Sequence, residues 1–151
     1  MTPDAIIAHI LDRYSGVVEA TSWGERGVFY NPGGVLARGV YVLTVKKHDG
    51  PNDRASRLDR DGVFRLSVGV RQETYERMFG PKPPRPPKGG VASTGHDFTT
   101  LDLLMPHPVY AWMGWVGVLN PSTATFQELA PLLSDAYEQA VAKFEKRARR
   151  A

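Results

Sequence analysis

Residues 105–122, MPHPVYAWMGWVGVLNPS, restrict the fold of this chain more than any other stretch. Met105 and His107 each precede a proline, and a proline ring pushes the residue before it out of helical geometry into extended backbone. The chain enters the segment stiffly, which predicts a strand over 109–119 with His107 held at its mouth. Along such a strand Tyr110, Trp112, Gly114, Val116 and Val118 share one face. Val109, Ala111, Met113, Trp115, Gly117 and Leu119 share the other. Both faces are apolar, so the strand belongs in the interior of a sheet covered on both sides. Gly114 and Gly117 leave room beside the tryptophans, and a glycine in a strand often marks close approach by another group.

The flanking sequence supplies partners. Thr2, Pro3 and Asp4 signal a helix start, with Ile6, Ile7, Ile10, Leu11 and Tyr14 as its apolar stripe and Gly16 as its end. Strands are expected over 17–23, 27–31, 35–47 and 62–70, with Phe64, Leu66, Val68 and Val70 opposite Val63, Arg65, Ser67 and Gly69. Residues 48–61 mix turn formers with both charge signs and read as a surface loop. A short helix over 71–79 stops at Gly80-Pro81. The segment 81–96 reads as a mobile Pro/Gly-rich loop, and DFTTLDLLM offers a helical turn or two. A long amphipathic helix closes the chain, with Thr125 and Glu128 at capping-box spacing and Pro131 marking a start or a bend. Hairpin-connected strands punctuated by helices imply a single α+β domain over 1–151, mainly antiparallel, with helices from both ends of the chain flanking the sheet.

Composition excludes several chemistries. The 151 residues contain no cysteine, which removes disulfides, thiolate metal sites and cysteine nucleophiles. P-loop, GxGxxG, HExxH, GxSxG and EF-hand patterns are missing, and the histidines at 9, 48, 96 and 107 lack metal-ligand spacing, so neither metal nor cofactor is expected. The N-terminal MTPDAIIAHILDRY has no basic segment and does not read as a signal peptide. No apolar run approaches the roughly 20 residues that cross a bilayer, so a cytoplasmic protein without membrane contact is expected. The net charge of +3 is peripheral, because it comes from the 81–90 segment and the basic tail, and the remaining body is mildly acidic.

FRLSVGVRQETYERMFG, DFTTLDLLMPHPVYAWMGWVGVLNP and LLSDAYEQAV together resemble a domain-of-unknown-function family distantly similar to the MmcQ/YjbR-like proteins. The resemblance implies a CyaY-like fold, an antiparallel sheet flanked by helices. MmcQ/YjbR-like proteins are often described as DNA-binding, and a fold label of this kind is not a mechanism.

Three functions are open on the sequence. The first is a module binding a small aromatic or natural-product-like ligand, with Trp23, Tyr30, Trp112 and Trp115 as walls and Arg65 and His107 as polar anchors. The second is unspecific nucleic-acid binding through Lys46 and Lys47, the loop cations Lys82, Arg85 and Lys88, and the tail cations Lys146, Arg147 and Arg150. The third is a cofactor-free enzyme using His107 as acid or base.

Overall fold

The first helix, α1 (Pro3–Arg13), begins as its sequence dictates: Thr2 accepts a hydrogen bond from the Ala5 amide at 3.1 Å. This is the computed structural model of the chain, and it describes residues 1–150. After α1 come β1 (Val17–Ser22), β2 (Glu25–Tyr30), β3 (Val40–Lys46), β4 (Arg65–Gly69) and α2 (Gln72–Phe79). The chain then runs without helix or strand to β5 (Met105–Pro106), and β6 (Trp115–Leu119), α3 (Thr123–Glu128) and α4 (Ala130–Arg150) follow. Among the described residues no helix is long and apolar enough to cross a membrane.

The strands form one six-stranded sheet in the order β1-β2-β3-β4-β6-β5, each neighbour antiparallel. Register places Val28, Leu43, Val68 and Val116 in one row, and Val45, Leu66 and Val118 in the next row on the same face. That face packs against Ile6, Ile7 and Ile10 of α1 and Leu133, Ala136, Ala140 and Phe144 of α4. A fully buried isoleucine, leucine or phenylalanine of this set contributes about 1.5–3 kcal/mol, and the two alanines let α4 approach the sheet. Tyr30 belongs to it, edge-on to Tyr137 and Phe144.

The expected strand over 109–119 is half the length foreseen. Ala111–Met113 form a 3₁₀ turn, and Gly114 ends it at φ 87° with its amide bonded back to the Ala111 carbonyl at 2.9 Å. A left-handed residue cannot continue a strand, so only Trp115–Leu119 pair, between β4 and β5. Trp112 therefore lies on the turn and on neither face of the sheet. Its ring carries the Arg85 guanidinium of the Pro-rich segment 4.7 Å from its centroid. That segment is tied down again at Ala92, which is buried and donates to the Pro108 carbonyl at 2.7 Å.

Smaller corrections follow local chemistry. The expected strand 35–47 starts only at Val40, because the Asn31 side chain bonds both backbone groups of Leu36 and holds 31–36 as a closed loop. DFTTLDLLM forms no helix, since Asp97 binds the Thr99 amide and hydroxyl and the Asp102 amide bonds Leu119 across to β6. The terminal helix is capped by Ser122 instead of Thr125, and it breaks at Leu129 into α3 and α4, beside Pro131. The 48–61 loop folds inward, burying Asp53, Ser56 and Leu58.

Candidate functional site

The second face of the sheet is turned away from the core that α1 and α4 cover. Gly27, Thr44, Ser67 and Gly117 form one row there, and Gly69 pairs with Trp115 further along. Glycines on this face make room for rings. A Cβ at Gly27 would stand 2.7 Å from the Phe29 ring, and one at Gly69 would stand 2.9 Å from Trp115 Cε2. Phe29, Tyr41 and Trp115 consequently line up across the strands, with centroid separations of 4.3 and 6.1 Å.

Under the loops this face buries a polar hub. Arg65 is 1% exposed and grips Asp53 with both terminal nitrogens, at 2.9 and 2.5 Å. Its remaining bonds go to Ser56 and Ser67, and its aliphatic stem lies over Gly117, where a Cβ would meet Cδ at 3.4 Å. Burial alone would raise the Asp53 pKa, but the paired guanidinium outweighs it and holds the carboxyl well below its ordinary range. Lys46 extends the chain of charges, 3.4 Å from both Asp53 and Glu25.

His107 sits beside the hub and is 3% exposed. Its Nδ1 accepts the amides of Val109 and Tyr110, each at 3.0 Å, so the ring folds the turn that the two prolines begin. An Nδ1 used as an acceptor leaves the ring proton on Nε2. Burial, reinforced by the Arg65 charge, drives the imidazole pKa well below 6.5, so the ring is neutral at pH 7. The sequence places this ring at an open strand mouth; the fold closes the mouth and uses the ring as a turn element.

Above these groups lies a cleft of about 390 Å³, running from the β1–β2 turn to the C-terminal half of α4. Trp23 and Glu25 line one end, and Tyr41, Thr44, His107 and Trp115 the floor. Tyr110 and Met113 rise from the 3₁₀ turn as exposed side walls. Arg38 and the α4 stripe Gln139, Lys143 and Arg147, spaced one turn apart on one helix flank, complete the lining. Among the described residues no carboxylate lies within 4 Å of Arg38, Lys143 or Arg147.

The fold thus brings Trp23, His107 and Trp115 to one cleft. It sends Tyr30 to the opposite face, Arg65 into the hub beneath, and Trp112 under Arg85. The basic set is divided: Lys46 is held by two carboxylates, Lys47, Lys88, Lys146 and Arg150 are exposed outside the cleft, half-buried Lys82 lies near enough to Lys143 to act on its charge, and Arg147 lines the cleft. Sequence reasoning missed Asp53, hidden in a turn-rich loop, and Arg38, Tyr41, Thr44 and Tyr110. The spacing of Gln139, Lys143 and Arg147 was the one legible signal for the α4 wall. Two other histidines pair outside the cleft, His48 with Asp59 at 3.3 Å and His96 with the Thr94 hydroxyl at 2.9 Å.

These features define an α+β protein with one helix-covered sheet face and one aromatic cleft on the other. The chain belongs to the family of unknown function DUF6194, whose profile matches residues 1–149. No curated protein and no solved structure matches it.

Proposed function

We propose that this protein binds a small, partly aromatic molecule, of natural-product-like character, in the cleft between the Trp23 turn and α4. Trp23 carries the reading. Trp23 and Gly24 both have positive φ, 55° and 74°, the pattern of a hairpin turn that asparagine or glycine fills at least cost. A left-handed tryptophan there costs about 1–2 kcal/mol. It is also 88% exposed, so core burial offsets none of that cost. A residue that strains its turn, adds nothing to the core and lines a cleft fits a binding role. The cleft volume lies in the range of small-molecule sites, and its lining sets the aromatic and apolar side chains of Trp23, Tyr41, Tyr110, Met113 and Trp115 beside polar groups that can orient a ligand, Thr44 and His107 among them.

The alternatives draw less support. A neutral His107 with Nδ1 committed to two amides suits donation of a hydrogen bond better than proton transfer. Nucleic-acid binding loses Lys46 to its two carboxylates. Kinship with the MmcQ/YjbR-like proteins is likewise proposed, on the 105–122 block and on an antiparallel sheet with helices on one face.

Indole and 2-naphthol titrated against labelled protein test the reading through the three tryptophan indole N–H resonances. Saturable shifts are expected at Trp23 and Trp115, with Trp112 unmoved. Silence at both cleft tryptophans up to millimolar probe would overturn it.

A further inference from the structure

We propose that the cleft selects anionic aromatic molecules, seating a carboxylate or phosphate among Arg38, Lys143 and Arg147 while the aromatic body lies against Tyr41 and Trp115. This inference rests on the binding role proposed above and adds the charge of the ligand.

The placement follows from a chain of contacts. Trp115 lies across Gly69, and the Gly69 carbonyl accepts the Gln139 side-chain amide at 3.1 Å. Lys143 is one helical turn beyond Gln139 and Arg147 one turn beyond that, so both cations follow Gln139 along the helix flank that lines the cleft. Arg38 enters from the loop before β3 and lines the same cleft. Tyr41 is three residues further along the chain and edge-on to Trp115. A two-ring ligand stacked on this floor has its acidic substituent within reach of the helix flank.

The charges are the second observation. The two sheet arginines hold carboxylates, Arg26 binding Asp4 and Glu19 and Arg65 binding Asp53, and Arg71 at the start of α2 binds Asp135 and Glu138. Arg38, Lys143 and Arg147 line one cleft as exposed side chains, with no acid among the described residues within 4 Å of any of them. The carboxylate that does line the cleft, Glu25, is engaged by Lys46. Lys143 is exposed, and partial burial of its stem together with the charges of Arg147 and Lys82 lowers its pKa. Like charges lining a concave site raise the local concentration of counter-ions and reward a ligand that neutralises them. Arginine offers the planar fork that fits carboxylate and phosphate oxygens in pairs.

The test is calorimetry on the full chain with 2-naphthoate, 2-naphthyl phosphate and the uncharged 2-naphthol. Both anions are expected to bind about tenfold or more tighter than 2-naphthol at low salt, with the gap narrowing as salt rises. The stronger of the two anions identifies the acid group. In the Lys143→Gln/Arg147→Gln variant both α4 cations of the cleft are neutralised, and the ratio of anion affinity to 2-naphthol affinity should fall towards one. Equal binding of all three by the parent chain would overturn the anion site and leave the aromatic cleft standing. Binding by none of them would remove both. If single-stranded (dT)8 binds and none of the naphthyl probes displaces it, the cations serve a nucleic acid and the inference falls.

Discussion

The indole of Trp115 lies across Gly69 on the neighbouring strand, so close that a Cβ there would stand 2.9 Å from ring carbon Cε2. The two are paired in register, and the glycine is the notch that lets the ring lie down as cleft floor. Gly69→Ala should displace the indole and cost about 1–3 kcal/mol, the usual range for overpacking. Urea unfolding followed by tryptophan emission checks both effects. An unchanged midpoint with unchanged emission would mean that the ring is not pinned there.

The Arg65–Asp53 pair should be costly to break and cheap to replace. Asp53→Leu or Arg65→Met alone leaves a buried partner uncompensated, at about 3–5 kcal/mol each. The double variant Asp53→Leu/Arg65→Met should recover much of that loss, because neither charge remains to be desolvated. A double-mutant cycle from chemical denaturation gives the coupling directly. Additive losses would show that the two residues stabilise the fold independently.

His107 and Asp53 both make the fold acid-sensitive, in separate windows. The folded-state pKa of His107 is depressed, so the unfolded chain binds its proton first as pH falls through 6.5, and stability drops below that value. Asp53 is depressed from 3.8, so its contribution is whole above that value and is lost only on further acidification. The urea midpoint of the parent should therefore fall between pH 7 and pH 5. His107→Asn, which offers Oδ1 to the same two amides without titrating, should lose that slope. His107→Ala leaves both amides unpaired and should be less stable than the Asn variant by about 1–3 kcal/mol. A parent midpoint that is flat over this window would contradict a buried neutral ring.

Trp23→Asn should separate function from stability. Asparagine accepts the left-handed turn position more readily, so thermal stability should hold or rise by up to about 1 kcal/mol. Aromatic probe affinity should drop on the same protein. Loss of stability instead would show that the exposed indole packs usefully in solution.

Much of the fold follows from local chemistry written in the chain. Thr2-Pro3 starts α1, the period of Leu133, Ala136, Ala140 and Phe144 lays α4 on the sheet, and the alternation of 63–70 sets the faces of β4. These signals survive because each lies within one element and repeats with that element's own period. The strand through 109–119 failed for a reason that periodicity does not carry: a glycine at φ 87° and a histidine bonding amides two and three residues onward. Both are single-residue events. Arg65 shows the larger gap. Its position opposite the apolar row was legible, whereas its fate depended on Asp53 folding over from a loop twelve residues earlier in the chain. The cleft is of the same kind. Trp23, Arg38, Trp115 and Lys143 come from a turn, a loop, a strand and a helix, and only the packing of those elements makes them neighbours. Sequence determined which faces had to be buried, because hydrophobic periodicity is local; tertiary structure decided which polar and aromatic groups converge, because convergence is a property of distant segments meeting.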